Sequence, residues 1–286
     1  MSKLKVFGIV LLLACGCGGE NNEGGSVGVR DVYCGNADEP VPDFTTDELE
    51  RRFCLFDDAQ VEFFVKHYSG LGYYEMIYLG DVPQSSLLKF RSAGITEIGE
   101  LRVDRSKTLE SFAGLESVET LWLLRVENAS RLTSLSGLEN VKRVRRIEVQ
   151  GNDSLTSLKG LEGVVEVLDD GITPGIFAND NPKLADVSAL KGVVRNKGVL
   201  SITGSEVLEV IEVGEGLEEL RGLAVSNNPK LKAVKGLEGV QQFEQYCDFI
   251  DNPSFSTCEA RRICALRTGR VEDEVIRGNL ADEPCS

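Results

Sequence analysis

A repeated apolar position is the feature that most constrains this chain. One leucine or phenylalanine recurs at intervals of 23 to 29 residues and defines seven consecutive units. These anchors are Leu109, Leu132, Leu155, Leu184, Leu208, Leu231 and Phe255. A unit of this length cannot bury its apolar face alone, so we expect the units to stack as the coils of a solenoid.

Each unit also carries the alternation of a short strand before its anchor. Two apolar residues, eight and six places ahead of the anchor, recur as Leu101/Val103, Leu124/Val126, Ile147/Val149, Ile176/Ala178, Leu200/Ile202, Leu223/Val225 and Cys247/Phe249. Alternate residues of a strand point to the same face, so these pairs are expected to face the core. Seven such strands predict one parallel sheet.

Two further positions describe the corners of the predicted coils. A small residue follows the anchor in five units, at Gly114, Gly137, Gly160, Ala189 and Gly236, as suits a corner with no room for a side chain. Asparagine stands three places before the anchor in four units, at Asn152, Asn181, Asn228 and Asn252. We expect these amides to bond the backbone of neighbouring coils.

The run from Asn228 to Val240, NPKLKAVKGLEGV, resembles the receptor L domain of receptor ectodomains and bacterial surface proteins. The likeness covers residues 95–258 and implies a right-handed β-helix of leucine repeats. The expected fold is therefore mainly β, a right-handed parallel β-helix with short capping helices at both ends. Ser106, Ala129 and Ser205 replace the asparagine, and Val213-Gly214 disturbs a corner. Strand stacking should be least regular at residues 205–216.

The beginning of the chain predicts export. Lys3 and Lys5 precede an apolar stretch too short to span a bilayer, which is typical of a signal peptide. Its end, Leu12-Leu13-Ala14-Cys15, resembles the lipobox of bacterial lipoproteins, which implies cleavage before Cys15 and lipid on that thiol. The expected location is the bacterial cell envelope, on the outer membrane or cell surface. Cleavage after Cys17 would instead leave a soluble secreted protein.

The cysteines beyond the export region cluster at the two ends of the repeat. Six of the eight lie there, at Cys34, Cys54, Cys247, Cys258, Cys264 and Cys285. An even set in an exported protein predicts disulfides, and fifteen pairings are possible in principle. We expect Cys34 to pair with Cys54 and Cys247 with Cys264. The end of the chain resembles the C-terminal cap of bacterial lipoproteins of this kind, and this resemblance implies Cys258 with Cys285.

The region before the repeat is expected to cover the N-terminal end of the core. Thr45 to Phe53 has the capping threonines and apolar spacing of a short helix. Phe63 to Tyr78 is expected to form the first, irregular coils. The resulting division is a signal peptide at 1–14, a flexible tether at 15–30, an N-terminal cap at 31–94, solenoid repeats at 95–252 and a disulfide-bonded C-terminal cap at 253–286.

The residues offer little support for catalysis, a cofactor or a metal. His67 is the only histidine, and neither a GxSxG nor an HExxH pattern lies near it. The formal charge of −15 becomes −17 without Lys3 and Lys5, which disfavours nucleic acid as a partner. We therefore expect a protein that is not an enzyme, with no cofactor and no metal.

The strand register assigns a set of residues to the outward face of the sheet. Those expected to form a binding face are Arg102, Arg125, Glu127, Glu148, Phe177 and Tyr246. Sheet faces are where solenoids commonly bind partners, so the leading hypothesis is a membrane-anchored protein that binds a protein or a glycan. Two alternatives are an envelope protein with cross-strand ion pairs and no ligand, and a β-helix polysaccharide-degrading enzyme that uses Glu127 and Glu148.

Overall fold

The computed structural model describes residues 51–169, 174–243, 246–266, 274–281 and 285. Within these residues the chain is mainly β. The strands are β1 (Arg52–Leu55), β2 (Tyr73–Leu79), β3 (Glu97–Asp104), β4 (Thr120–Glu127), β5 (Arg143–Val144), β6 (Arg146–Gln150), β7 (Glu166–Val167), β8 (Gly175–Asn179), β9 (Arg195–Thr203), β10 (Val210–Glu212), β11 (Glu219–Ser226), β12 (Ala233–Lys235), β13 (Gln242–Phe243), β14 (Cys247–Ile250) and β15 (Glu274–Arg277). The helices are α1 (Asp58–Tyr68), α2 (Gln84–Leu87) and α3 (Thr257–Cys264), with 3-10 turns at Leu88–Ser92 and Ser188–Gly192.

One large sheet dominates the fold. It has 13 strands in the order β1-β2-β3-β4-β5-β7-β9-β11-β14-β15, and β6, β8 and β13 attach to these strands. Neighbouring strands pair in parallel, each with the equivalent strand of the next unit. A second sheet contains only β10 and β12. The sheet is thus longer than the seven predicted strands, because β1 and β2 extend it at one end and β15 at the other.

The apolar pairs identified by their alternation form the core behind this sheet. Leu101 pairs with Leu124 and Val103 with Val126, and all four are fully buried. The same positions of the later units are buried too, through Cys247 and Phe249. Burial of one such side chain contributes roughly 1.5–3 kcal/mol, so stacking of the units is the main stabilising contribution.

The corner glycines hold a backbone conformation that other residues rarely adopt. Gly137 has a φ of 110°, and a Cβ built on it would lie 2.1 Å from the carbonyl oxygen of Phe112 in the preceding unit. Its backbone N–H donates to Oε2 of Glu139 at 2.9 Å. Gly160 and Glu162 repeat this arrangement at 2.7 Å. The small residue therefore admits close coil stacking, and the glutamate satisfies the exposed N–H.

The asparagines form a hydrogen-bonded ladder that joins successive units. The backbone N–H of Ala129 donates to Oδ1 of Asn152 at 2.8 Å, and the N–H of Asn152 donates to Oδ1 of Asn181 at 3.0 Å. A second run, from unit five onward, includes Ser205, Asn228, Asn252 and finally Asn279. Each amide also donates to a carbonyl at the end of a strand. The predicted backbone role of these asparagines is confirmed.

The N-terminal cap differs from the expected one. Phe53 belongs to strand β1 and not to a helix, because it and Leu55 alternate into the core while β1 pairs with β2. The helix is α1, which begins after Asp57, whose side chain accepts from the N–H of Gln60 at 2.8 Å. The segment Tyr73–Leu79 is a regular strand, not an irregular coil. The expected part of the helix at residues 45–50 lies outside the described residues.

The fifth unit and the C-terminal cap follow the sequence more closely. Within residues 205–216, β10 pairs with β12 in the second sheet, and no backbone hydrogen bond joins residues 207–212 to the preceding unit, which is an irregularity in the predicted segment. At the end of the chain, Ser256 accepts from the N–H of Glu259 at 3.0 Å and begins α3. Disulfides join Cys247 to Cys264 and Cys258 to Cys285, the two expected pairs.

The helices of the described residues are short. The longest, α1, has 11 residues. None of them is long and apolar enough to cross a membrane.

Candidate binding face

The outward side of the large sheet carries the predicted site, and we call it the sheet face. Its central column follows the strand pairing without a break and consists of Tyr78, Arg102, Arg125, Glu148, Phe177, Ser201, Ala224 and Asp248. The spacing of paired strands is about 4.8 Å, so adjacent members of the column touch. Charged side chains occupy the three positions after Tyr78, and an aromatic and two small side chains occupy the next three, before Asp248.

Four charged residues form one network on this face. Nε of Arg125 donates to Oε2 of Glu148 at 2.7 Å, and Arg146 donates to the other oxygen of Glu148 from Nε, also at 2.7 Å. Arg125 also lies 3.8 Å from a carboxylate oxygen of Glu127. The network joins β4 and β6, and both oxygens of Glu148 are occupied by guanidinium groups.

The electrostatic balance of the network favours the charged forms. Burial of Arg125 opposes its charge, but the nearby carboxylates of Glu148, Glu100 and Glu127 outweigh burial and raise its pKa. Charge-assisted hydrogen bonds of this kind are stronger than neutral ones. Cross-strand ion pairing is therefore present between Arg125 and Glu148, whereas Arg125 and Glu127 belong to the same strand.

Arg102 differs from its neighbours. Its Nε is buried and has no hydrogen-bond partner, and within the described part of the chain its guanidinium joins no ion pair. It stands between Tyr78 and Arg125 in the central column. A buried donor without a partner costs roughly 1–3 kcal/mol, and a ligand oxygen would satisfy it. Arg102 is thus the one arginine of the column whose charge the protein itself does not neutralise.

Aromatic rings lie flat on the other half of the sheet face. A Cβ built on Gly222 would lie 3.2 Å from Cε1 of Tyr246, and one on Gly175 would lie 3.1 Å from Cε2 of Phe177. The two rings flank Val199, which is 4% exposed although it points outward. The guanidinium of Arg146 lies 4.9 Å from the centre of the Phe177 ring. The glycines therefore let the rings lie close to the backbone and leave a low apolar surface.

Polar groups border this apolar surface. Oδ1 of Asn179 accepts from the hydroxyls of Ser201 at 2.9 Å and Thr203 at 3.1 Å. Burial raises the pKa of the Tyr246 phenol, and the charge of Asp248 raises it further, so the hydroxyl keeps its proton at neutral pH. The surface offers ring faces, hydroxyls and an amide side by side.

The structure brings five of the six predicted residues together, four in the central column and one beside it. Tyr246 lies apart from the charged residues. Arg102, Arg125, Glu148 and Phe177 are consecutive in the central column, and Glu127 lies beside Arg125. Tyr246 directly precedes β14, which is three strands beyond the strand of Phe177, with β9 and β11 between them. Sequence reasoning omitted Arg146, although it lies two residues before Glu148 and period-two alternation places both on one face. It also omitted Tyr78, because β2 was taken as an irregular coil.

Groups that could carry other chemistry are dispersed in the described residues. His67 is exposed in the last turn of α1, and its ring stacks on Phe63 with centroids 4.3 Å apart. In the same ranges no group of three or more histidine, cysteine, aspartate or glutamate side chains could hold a metal ion. Cys15, the expected lipidation residue, lies outside the described residues, as do Cys17 and Cys34. Cys54 is disulfide-bonded, and its expected partner was Cys34.

Comparison of the chain with protein families, with curated proteins and with solved structures found no match.

Proposed function

We propose that this protein is a lipid-anchored component of a bacterial cell envelope that binds a protein or a glycan through the sheet face, without catalysis. The observation that carries the proposal is Arg102. Its Nε is buried without a partner, whereas Arg125 and Arg146 beside it are paired with Glu148. A buried donor without a partner lowers the stability of the protein unless an outside oxygen completes its hydrogen bonds.

The proposal includes a finer description of the fold, a right-handed leucine-repeat β-helix. Several features support it: parallel pairing of each unit with the next, corner glycines packed against the preceding unit, and the asparagine ladder. These features recur at the repeat period. A solenoid presents an extended face built from many units, which suits a large or extended partner better than a small molecule.

Both oxygens of Glu148 are held by arginines, and this supports a role without catalysis. A catalytic carboxylate must be available to a substrate proton or a water molecule, and here the ion pairs occupy both oxygens. The same observation supports a second candidate function. In an envelope protein without a ligand, a self-neutralised network would only stabilise the sheet, by roughly 0.2–1 kcal/mol for each cross-strand pair.

A single substitution separates the two functions. Arg102→Met removes the guanidinium and keeps an apolar stem, and Arg131→Met is a matched control at an exposed arginine outside the large sheet. We would measure binding of the fluorescently labelled protein to a glycan array and to intact bacterial cells. Loss of one charge-assisted hydrogen bond should weaken binding in Arg102→Met about 10- to 100-fold. Arg131→Met should bind as the parent does.

The thermal stability of the same variants tests the proposed role of Arg102 independently. Removal of a buried unsatisfied donor should leave the unfolding temperature of Arg102→Met equal to or above that of the parent. Equal binding by parent and Arg102→Met, or unchanged interaction partners in an Arg102→Glu, Arg125→Glu double variant, would refute the sheet face as the binding surface.

The anchor has its own test. Metabolic labelling with a radioactive fatty acid should mark the parent and not a Cys15→Ser variant, and only the parent should sediment with membranes. Surface protease treatment of intact cells would then report the side of the membrane. Fractionation of the parent with soluble proteins would support the alternative cleavage after Cys17.

A further inference from the structure

A cavity of about 360 Å³ opens between units four and five, away from the sheet face. Residues 185–188 form one wall, and residues between 207 and 212 form the other. Its apolar lining comes from Val187, Val207 and Val210, and its carboxylates come from Asp186, Glu209 and Glu212. The cavity thus lies at the irregular unit that the sequence singles out.

The cavity coincides with a gap in the backbone hydrogen bonds that join successive units. On this side of the chain, the N–H of Thr133 donates to the carbonyl of Glu110, that of Thr156 to Thr133 and that of Ala185 to Thr156. The series resumes where the N–H of Lys232 donates to Glu209. Between residues 185–188 and 207–212, all of them described, no backbone hydrogen bond forms. The two units stay joined beside this stretch, where the N–H of Glu206 donates to the carbonyl of Pro182, so the gap is local.

The asparagine ladder is interrupted at the same place. Asn181 ends the first run, and Ser205 begins the second, because the serine hydroxyl donates to the carbonyl of Leu184 at 2.6 Å and offers no amide oxygen to unit four. One substitution in the sequence therefore accompanies the loss of two kinds of contact between these units. Between these residues of units four and five, both the backbone hydrogen bonds and the asparagine ladder are therefore interrupted.

Strand β10 presents a free edge to the cavity. The carbonyl of Glu209 accepts from β12, and the N–H of Val213 donates to Lys235 beyond the end of β10, so these groups turn toward the neighbouring strand. Backbone groups alternate in direction along a parallel strand, and those of Val210 and Glu212 therefore point the other way, into the cavity. An unpaired edge of this kind is a template for an added strand.

Carboxylates border the edge. Asp186 accepts hydrogen bonds from Ser188, which lower its pKa, and the pKa of Glu209 is lowered by the hydrogen bond from Lys232. Both carboxylates are ionised at neutral pH. The lysine partners Lys232 and Lys191 are half or more exposed, and surface ion pairs are weak, so the carboxylates can exchange them for a new cation at little cost.

We propose that this cavity binds an extended peptide segment rich in lysine or arginine, which adds as a strand to the free edge of β10. The backbone of the segment would bond to Val210 and Glu212. Its basic side chains would lie near Asp186, Glu209 and Glu212. This site lies on the two-stranded sheet, so it is independent of the sheet face and of Arg102. Edge pairing supplies affinity in such complexes, and the side chains supply specificity.

The test uses a defined probe. A fluorescein-labelled, end-blocked peptide of alternating lysine and valine is titrated with the protein, and binding is followed by fluorescence anisotropy. Val210→Pro removes the N–H that faces the cavity and replaces one apolar side chain of the lining by another, a substitution that sheet edges tolerate. We expect it to weaken binding about ten-fold, the effect of one lost backbone hydrogen bond. A Glu209→Gln, Glu212→Gln double variant provides a second reading should the proline unfold β10.

A matched control exists in unit one. Glu110 pairs with Arg131 as Glu209 pairs with Lys232, but there the backbone ladder is closed. Glu110→Gln should therefore bind the peptide as the parent does, whereas the double variant should bind about five-fold more weakly. A peptide with glutamate in place of lysine should bind at least ten-fold more weakly.

Three results would overturn the proposal. One is the absence of binding by the lysine-valine peptide at millimolar concentration. Another is equal loss of binding in Glu110→Gln and in the Glu209, Glu212 double variant. The third is a concentration-dependent dimer in analytical ultracentrifugation that Val210→Pro abolishes, since the occupant of the edge would then be a second copy of this chain.

Discussion

Replacement of Asn152 by alanine tests whether the asparagine ladder holds the units together. The side chain is fully buried. Its Oδ1 accepts from the N–H of Ala129 at 2.8 Å, and its Nδ2 donates to the carbonyl of Val126 at 3.2 Å and to Asn181 at 3.1 Å. Asn152→Ala removes all three bonds at once and places no new group in the site.

The expected loss in the free energy of unfolding follows from the groups that lose a hydrogen-bond partner. The N–H of Ala129 stays buried without a partner, and Val126 and Asn181 each lose a donor. A buried polar group left unsatisfied costs roughly 1–3 kcal/mol, and the small cavity adds to this. Because one buried donor and two acceptors lose a partner together, we expect a total loss of about 3–5 kcal/mol in the free energy of unfolding.

Urea unfolding followed by circular dichroism would measure this loss, with the disulfides intact. Asn140→Ala is the control, because Asn140 is exposed and its single bond to the carbonyl of Glu116 can be replaced by water. We expect the control to lose less than about 1 kcal/mol. Hydrogen exchange of the Ala129 amide should also become faster in Asn152→Ala. A loss below about 1 kcal/mol, or one equal to that of the control, would refute the ladder as a major contribution.

Further substitutions test the corners, the C-terminal cap and the charges. Gly160→Ala should cost at least about 2 kcal/mol in a urea titration, since its φ is 111° and a Cβ would lie 2.0 Å from a carbonyl oxygen, whereas Gly216→Ala, with open space around it, should be nearly neutral. Cys264→Ala opens a disulfide with a sequence separation of 17 and should lower stability by about 3 kcal/mol in the same assay. The hydrogen bond from Arg91 lowers the pKa of Glu116 below its usual 4.5, so the stabilisation is present above that pH and is lost as pH falls through the folded value. Thermal melts should therefore show Glu116→Gln less stable than the parent at pH 7, with a difference that shrinks as the pH is lowered below the usual pKa of 4.5.

The repeat could be predicted from the sequence because its signals are local. The inward positions of the strands depend on period-two alternation, and the anchor spacing aligns each unit with the next. Strand β1 could not be predicted in this way. Phe53 follows residues with helix-capping character, and only the pairing of β1 with β2 makes it a strand.

The sheet face was predictable in its composition but not in its pairing. Alternation assigned Arg102 and Arg125 to one column, but it does not show which of them has a hydrogen-bond partner. In the structure, Arg146 completes the partners of Glu148, Arg125 is paired and Arg102 is not. Which arginine keeps an unsatisfied donor depends on side-chain directions across three strands, and these are not encoded in any one segment.

The asparagine ladder also has a direction that bears on the order of synthesis. Each amide oxygen accepts from the unit before it, and the last one belongs to Asn279, beyond the final repeat. A ribosome makes the chain from its N-terminus, so every unit leaves the exit tunnel before the residue that completes its backbone bonding. The second run of the ladder can close only after Asn279 has been made, so the seventh unit waits for a residue outside the repeat to complete its backbone bonding.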